Sequence, residues 1–225
     1  MANKKTKVSE QDQQIGEAVT KTELFFQKYS KVVTWSIVGV IAVAAIIVLT
    51  IQFYVKPIKQ EAVNQTYLAE QFFRADKFET ALKGDGNALG FEQVINKYGN
   101  KAGEAVYFYA GVCELNLSKY QEAIDYLSKY KGNDPLISAR ALCCIGDAYV
   151  GLDNTKKAIV FFEKAANEAD NMYAAKYLLK AGLAAEELGE KDKAISLYQT
   201  IKDKYPNTYE GYQIDKYISR LKIEK

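Results

Sequence analysis

The residues that most often carry catalysis or bind metals are scarce in this chain. Histidine is absent from all 225 residues, which removes the commonest general base and the commonest metal ligand. The three cysteines, Cys113, Cys143 and Cys144, are odd in number and two are adjacent, so they make a poor disulfide framework. They also lack the fourth soft ligand and the paired spacing of a zinc site. We therefore expect small buried thiols, and we predict no enzymatic activity, no metal and no cofactor.

A glycine-rich segment, Gly84-Asp85-Gly86-Asn87, is the second place where ligand chemistry could reside. An EF-type calcium loop needs alternate oxygen ligands and a distal glutamate, and a phosphate loop needs lysine followed by serine or threonine after its glycines. Neither pattern is present, so the segment is predicted to be a tight turn. The formal net charge of +2 gives no global electrostatic case for nucleic acid either.

The strongest pattern in the chain is a repeat, which residues 139–172 show most clearly. Two helix-length apolar patterns are joined there by a polar break at Asp153-Asn154-Thr155. Small residues stand where two helices must approach closely, and large apolar residues fill the gaps between them. The small residues are Gly146, Ala158 and Ala165, and the large ones are Leu142, Ile145, Tyr149, Ile159 and Phe162. Their order resembles the tetratricopeptide repeat, a helix pair with a period of about 34 residues.

The neighbouring segments repeat this order. A shift of 35 residues toward the N-terminus and a shift of 36 toward the C-terminus bring equivalent residues onto the same positions. These residues are Gly111, Ala123 and Leu127 in one direction and Gly182, Ala194 and Tyr198 in the other. Three units are therefore predicted, at residues 104–137, 139–172 and 175–208. Because one helix pair cannot bury its own apolar face, such units stack into a solenoid.

The segments on either side of the three units are predicted to complete the stack. Residues 56–103 are interpreted as a divergent first helix pair, whose second helix is interrupted by the glycine-rich insertion. The first helix of that pair carries an apolar stripe of Val63, Tyr67, Leu68 and Phe72. Residues 209–225 mix apolar and charged residues in the way that a capping helix requires.

Residues 32–55 are 24 consecutive residues without a charge. A helix of that length reaches about 36 Å, enough to cross a hydrocarbon core of about 30 Å with some tilt. Trp35 near one end and Phe53 and Tyr54 at the other suit the two membrane interfaces. A cleaved signal peptide has a shorter apolar region, of about 7–15 residues, followed by small residues. An uncleaved single transmembrane helix is therefore predicted.

The N-terminal tail, residues 1–31, carries six lysines against four acidic residues. Basic residues favour the cytoplasmic side, and long C-terminal domains cross a membrane largely regardless of their charge. We predict a single-pass protein of the inner (cytoplasmic) membrane, with a cytoplasmic N-terminus and a periplasmic, that is extracytoplasmic, repeat domain. Residues 15–29 are either a short surface helix or, as we favour, the helical lead-in to the span.

The predicted fold is all-α: one N-terminal transmembrane helix, then a right-handed solenoid of the tetratricopeptide type with a C-terminal capping helix. In proteins of this type, the first helix of each pair lines a concave groove that binds extended peptides or helices. The groove residues that the resemblance implies are Phe108, Val112, Leu115, Asn116, Arg140, Cys143, Asp147, Val150, Lys176, Leu179, Lys180, Leu183 and Glu186. About half of them are expected to pack against neighbouring helices. If exposed, Phe108, Leu179 and Leu183 would form an apolar patch typical of a binding site.

One ligand class can be tested on the sequence. Some tetratricopeptide proteins hold the C-terminal carboxylate of heat-shock chaperones with a clamp of Lys, Asn, Asn, Lys and Arg. Lys176 and Lys180 match the last pair of that clamp in position and charge. The first pair would fall on Phe108 and Val112, and the middle asparagine on Cys144. A carboxylate clamp is therefore not predicted.

The layout of a short tail, a single span and a compact repeat domain is similar to a bacterial envelope family, the membrane-anchored tetratricopeptide proteins that are ancillary subunits of the Sec translocon. The resemblance rests on residues 32–55, the insertion at Ala81–Asn87 and the repeat motifs. It implies scaffolding or chaperoning of newly exported proteins, with translocon subunits and a membrane-anchored periplasmic chaperone as partners. It implies no nucleic acid and no small-molecule substrate. Two alternatives stay open: a cell-envelope assembly adaptor unrelated to the translocon, and a cytosol-facing protein similar to import receptors.

Overall fold

The computed structural model of the protein describes residues 28–223, and all regular structure within them is helical. Residues 1–27 of the predicted tail lie outside the described residues, as do the predicted lead-in or surface helix up to residue 27 and the last two residues of the predicted cap. The chain divides into two compact units, Met1–Pro57 and Ile58–Lys225.

The first unit contains helix α1, residues 28–50, followed by a π-helical turn, Ile51–Val55. The large aliphatic side chains of α1 are exposed, except Val33, which is half-buried. Three hydroxyl groups in this apolar run donate to the backbone carbonyl four residues earlier, a local pairing that satisfies their hydrogen-bonding needs. The pairs are Thr34 with Ser30 at 2.7 Å, Ser36 with Val32 at 2.8 Å and Thr50 with Ile46 at 2.8 Å. Such pairing is what an apolar environment demands of a hydroxyl.

The π turn ends at Val55, two residues before Pro57. Proline has no N–H, and its ring clashes with the carbonyl four residues earlier in a regular helix. In the π turn, the N–H of Lys56 reaches the carbonyl of Ile51, which is the wider spacing of a π-bulge. Within the described residues, one helical stretch, Lys28–Arg74, is long and apolar enough to cross a membrane. Signal sequences meet the same criteria of length and composition.

Helix α2 (Lys56–Arg74) leads into the second unit, which is a stack of helix pairs. Its other helices are α3 (Phe78–Lys83), α4 (Phe91–Tyr98), a 3₁₀ helix (Gly99–Ala102), α5 (Glu104–Asn116), α6 (Tyr120–Leu127), α7 (Pro135–Gly151), α8 (Thr155–Ala169), α9 (Ala174–Glu187), α10 (Lys191–Lys204) and α11 (Tyr209–Ile223). Helices α5 with α6, α7 with α8, and α9 with α10 form three successive pairs, and α11 packs on the last of them. The predicted all-α solenoid with a C-terminal cap is confirmed.

Each of the three pairs closes through the same glycine. It lies on the first helix and faces a large side chain of the second helix, at equivalent positions in the three repeats. The facing residues are Gly111 with Leu127, Gly146 with Phe162 and Gly182 with Tyr198. A Cβ atom would lie 2.5 Å from a side-chain carbon of Leu127 or Phe162, and closer still to the Tyr198 ring. The two helices can therefore approach closely only because no side chain is present there.

Each pair also turns between its two helices in the same way. One residue adopts a left-handed conformation, and the next donates its N–H to the carbonyl five positions earlier, as in a Schellman motif. The left-handed residues are Ser118, Asp153 and Gly189, with φ of 60°, 54° and 74°. Between α2 and α3, Asp76 has φ of 55°, and Lys77 N donates to Phe72 O at 2.9 Å. The α2–α3 turn thus has the geometry of the turns inside the three repeats.

Helix α2 buries a different face from the one that its large apolar residues predict. Val63, Tyr67 and Leu68 are exposed, so the predicted stripe is wrong for these three residues. Small side chains face the core instead, because they let α2 lie close to its neighbours. The buried residues of α2 are Ala62, Thr66 and Ala69.

The insertion between α3 and α4 is closed by one of its own carboxylates. The Oδ1 atom of Asp85 accepts hydrogen bonds from the N–H groups of Asn87 at 2.9 Å and Ala88 at 2.7 Å. Gly84 stands just before it with φ of 82°, a conformation that costs glycine little. The segment is the tight turn that its composition predicts.

Candidate protein-binding groove

The predicted groove residues of the first repeat lie mainly in the core. Phe108 and Val112 are 9% and 8% exposed, so their predicted place on the groove surface is wrong. The Phe108 ring packs edge-on against Tyr130, with 6.0 Å between ring centroids, since the chain folds back toward α5 after the early end of α6. Without Phe108, the predicted exposed patch of Phe108, Leu179 and Leu183 does not form.

In the second and third repeats, the first helices α7 and α9 run side by side in the same direction. Asp147 of α7 meets Lys180 of α9, and about one turn further along both helices Val150 shares a depression with Leu183. The depression has a volume of about 200 Å³, and we call it the α7–α9 groove. It is lined by Asp147, Val150, Phe162, Lys180, Leu183, Ala184 and Glu187. Four of these residues were predicted for the groove from the sequence.

An ion pair crosses the middle of the α7–α9 groove. The Nζ atom of Lys180 lies 2.7 Å from both carboxylate oxygens of Asp147, and 5.5 Å from the centroid of the Phe162 ring. Burial disfavours the charged amine, but the interactions of Lys180 with Cys143 and with the Asp147 carboxylate, which accepts its hydrogen bonds, outweigh burial and raise the pKa of Lys180 above its ordinary value. The positive charge of Lys180 is thus balanced by Asp147 within the protein. This pairing argues against a clamp for a ligand carboxylate at this position.

The apolar part of the groove is exposed on both helices. Val150 is 40% exposed and Leu183 is 42% exposed. Glu187, one helical turn after Leu183, adds an exposed carboxylate to the same face. Glu187 is not among the groove residues predicted from the sequence, although its spacing of four residues from Leu183 was the available signal.

Glu186, also predicted for the groove, joins the third repeat to the cap. The hydroxyl of Tyr198 on α10 donates to Glu186 Oε1 at 2.5 Å, and Arg220 on α11 forms an ion pair with Glu186 Oε2. Burial and the hydrogen bond to Glu186 raise the pKa of Tyr198. The carboxylate of Glu186 is therefore paired with other side chains of the protein.

The remaining predicted residues differ in accessibility. Arg140 and Lys176, on α7 and α9, are exposed, whereas Leu115 and Leu179 are half-buried. Asn116 is exposed, and its Nδ2 donates to the carbonyl of its own helix four residues earlier at 2.8 Å. Arg140 and Lys176 are the predicted cations that no ion pair in the described part of the chain engages.

The cysteines carry no reactive thiol. Burial raises the pKa of Cys113 and of Cys143 to about 12 and that of Cys144 to about 11. The thiolate is the nucleophile and metal ligand, so these groups are inert near neutral pH. Within residues 28–223, no group of three or more His, Cys, Asp or Glu is placed to hold a metal ion.

Comparison with known protein families agrees with the helix pairs. Two family models, both described as tetratricopeptide repeat, match the chain: one at residues 105–136 and 176–208, the other at residues 139–171. The fold and the groove together define a tetratricopeptide solenoid. The chain contains three tetratricopeptide repeats, as the sequence predicts.

Two solved structures are similar to this chain in fold. A crystal structure of MamA protein is 21% identical, with a TM-score of 0.55, and the match covers 73% of this chain and 82% of that one. A second crystal structure of MamA is 22% identical, with a TM-score of 0.53, covering 69% of this chain and 88% of that one. At this identity the likeness shows the fold alone. The search of curated proteins gives no match.

Proposed function

We propose that the chain is a non-catalytic scaffold, anchored in the cytoplasmic membrane by residues 32–55, that holds segments of other proteins in the α7–α9 groove. Tetratricopeptide repeats are protein–protein interaction modules, so protein partners follow from the fold. The observation that carries the site is the exposure of Val150 and Leu183 on two parallel helices. Apolar side chains flanked by polar ones on a concave surface are typical of a docking site.

The anchor is supported by the composition of α1. The 24 uncharged residues 32–55, together with the exposed aliphatic side chains and the satisfied hydroxyl groups of α1, suit a hydrocarbon environment better than water. We place the N-terminus in the cytoplasm, because residues 1–31 carry six lysines. The repeats then lie on the extracytoplasmic side.

For the cellular role, we favour an ancillary subunit of the Sec translocon that assists newly exported proteins together with a membrane-anchored periplasmic chaperone. The support is the layout of tail, span and repeats, together with the insertion at Ala81–Asn87. Two alternatives use the same groove. A cell-envelope adaptor would bind partners other than the translocon, and a cytosol-facing protein similar to import receptors would have the opposite membrane topology.

Site-directed photocrosslinking in cells tests this role. A photoreactive amino acid at Leu183 probes the groove, and the same amino acid at Val160, an exposed position of α8, is the matched control. We expect translocon subunits and a periplasmic chaperone to crosslink to position 183 and not to position 160, as read by mass spectrometry. Equal crosslinking at both positions would contradict the assignment of the α7–α9 groove as the binding site. Capture of other envelope machinery would contradict the translocon role.

The orientation is tested separately. A reporter that is active only outside the cytoplasm, fused after Lys225, should be active, and a reporter that needs the cytoplasm should be silent. The opposite result would support the cytosol-facing alternative.

A further inference from the structure

We propose that the α7–α9 groove selects extended protein segments that carry acidic residues at one end and basic residues at the other, with apolar residues between. The acidic end would extend beyond the lining of the groove to Arg140 and Lys176 on the same two helices, and the basic end would lie at Glu187. This inference rests on the proposed protein-binding function, and it adds the charge pattern of the partner.

The charges of the groove are separated along the helix axes. Because α7 and α9 run in the same direction, their first halves carry the exposed cations Arg140 and Lys176 on one side. Glu187, the last residue of α9, provides the carboxylate on the other side. The residues Lys176, Lys180, Leu183 and Glu187 are spaced four, three and four apart, which puts them on one face of α9.

The charges between these two ends cancel within the protein. Asp147 and Lys180 pair across the groove at 2.7 Å, and Glu186 pairs with Arg220 of the cap. A bound segment would therefore meet a positive end, a neutral apolar middle at Val150 and Leu183, and a negative end. A partner with the complementary order gains attraction at both ends without displacing an existing ion pair.

The length of the groove limits the partner. Lys176 and Glu187 are separated by about 16 Å along the helix at about 1.5 Å per residue. An extended chain covers that distance with about five residues at about 3.3 Å each. The acidic and basic residues of the partner should therefore stand about five positions apart.

Defined peptides test the inference on the full chain in phosphatidylcholine nanodiscs. The probes are three fluorescent peptides with the same centre, Leu-Val-Leu-Val: one flanked by two Glu and two Lys, one by four Glu and one by four Lys. By anisotropy, we expect the mixed-charge peptide to bind about fivefold more tightly than either single-sign peptide, the size that exposed ion pairs allow. Empty nanodiscs measure partition into lipid.

Two matched variants locate the effect. Lys176→Glu leaves Arg140 beside a carboxylate, so this end becomes neutral and the mixed-charge peptide should lose its advantage over the peptide with four Lys. The change should not impair folding, because an acidic residue suits the first turn of α9. Lys156→Glu makes the same charge change in the first turn of α8, outside the groove, and should leave the preference unchanged.

Three outcomes would overturn the inference. If the dissociation constants of the three peptides agree within twofold, the groove binds without charge selection. The inference is then wrong, and the proposed protein-binding function is not contradicted. If Lys156→Glu changes the preference as much as Lys176→Glu, the selectivity comes from the overall charge. If none binds above empty nanodiscs, both the inference and the proposed binding function are wrong.

Discussion

At the scale of single residues, Glu114 is the buried charge that the repeat pattern does not explain. It stands where the second repeat has Tyr149 and the third has Ala185, and it is 5% exposed. Its Oε2 atom accepts no hydrogen bond and lies 3.6 Å from Lys119 Nζ. Burial raises the pKa of Glu114 above 4.5, against the attraction of Lys119. Removing a carboxylate from water with one distant partner is costly.

This burial predicts a stability that depends on pH. A carboxyl group whose pKa is raised by folding takes up a proton in the folded state, so its favourable contribution is complete below pH 4.5 and is lost as pH rises through the folded pKa. Glu114→Gln removes the charge, and we expect it to raise Tm at pH 7 by about 2 °C. The gain should shrink toward pH 4.5, as followed by circular dichroism. The exposed Glu168→Gln should show no such trend, and a Gln variant less stable at pH 7 would contradict the prediction.

Gly146 tests the close approach of the two helices within a repeat. Alanine at this position would place Cβ 2.5 Å from the Phe162 ring, so the pair must separate or the ring must move. We expect Gly146→Ala to lower the free energy of unfolding by about 1–3 kcal/mol, measured by urea denaturation. The control is Asn167→Ala at an exposed position of α8, which changes helix propensity on the surface of the same unit. Equal changes in the free energy of unfolding for the two variants would show that helix propensity, and not crowding against Phe162, determines the effect of Gly146→Ala.

These glycines were predictable from the sequence, whereas the burial of Phe108 was not. The repeat register says which residues lie on the first helix and which face a partner, because that depends on spacing alone. It does not say what covers a given side chain from outside the pair. Tyr130 covers Phe108 only because the chain leaves the helical path early, and no apolar periodicity encodes that contact.

At the scale of elements, α6 is the helix that departs from the repeat. It has 8 residues, while α8 has 15 and α10 has 14. Helix α7 then begins at Pro135, inside the range predicted for the first unit. The signal was present in Gly132-Asn133-Asp134-Pro135, because proline in the first turn after an N-cap residue starts a helix. The early end leaves a cleft of about 390 Å³ bordered by Tyr130 and Phe161.

The N-cap of α7 can be tested directly. Asp134 Oδ1 accepts hydrogen bonds from Leu136 N at 2.8 Å and Ile137 N at 3.3 Å. We expect Asp134→Ala to cost about 1 kcal/mol of unfolding free energy, and Asp134→Ser to recover most of it, because serine is also a good N-cap. Urea denaturation measures both. An Asp134→Ser variant as unstable as Asp134→Ala would mean that the cap does not hold the start of α7.

At the scale of the whole molecule, stacked repeats contact only their neighbours, so a perturbation at one end should stay local. Glu186 links the third repeat to the cap, because it accepts a hydrogen bond from the Tyr198 hydroxyl and forms an ion pair with Arg220. The sequence predicts the cap from its apolar and charged pattern. It cannot predict this link, because the three residues belong to three helices whose relative placement follows from packing.

Arg220→Ala should therefore loosen the cap without affecting the first repeat. The side chain of Glu186 is 17% exposed and would lose its counter-charge, so opening of α10 and α11 becomes easier. We expect amide hydrogen exchange there to accelerate about threefold to tenfold, with α5 and α6 unchanged. Lys222→Ala, an exposed change on the same helix, should leave exchange as it is. Acceleration that extends equally to α5 would show that the stack opens as one cooperative body and that the repeats are not independent.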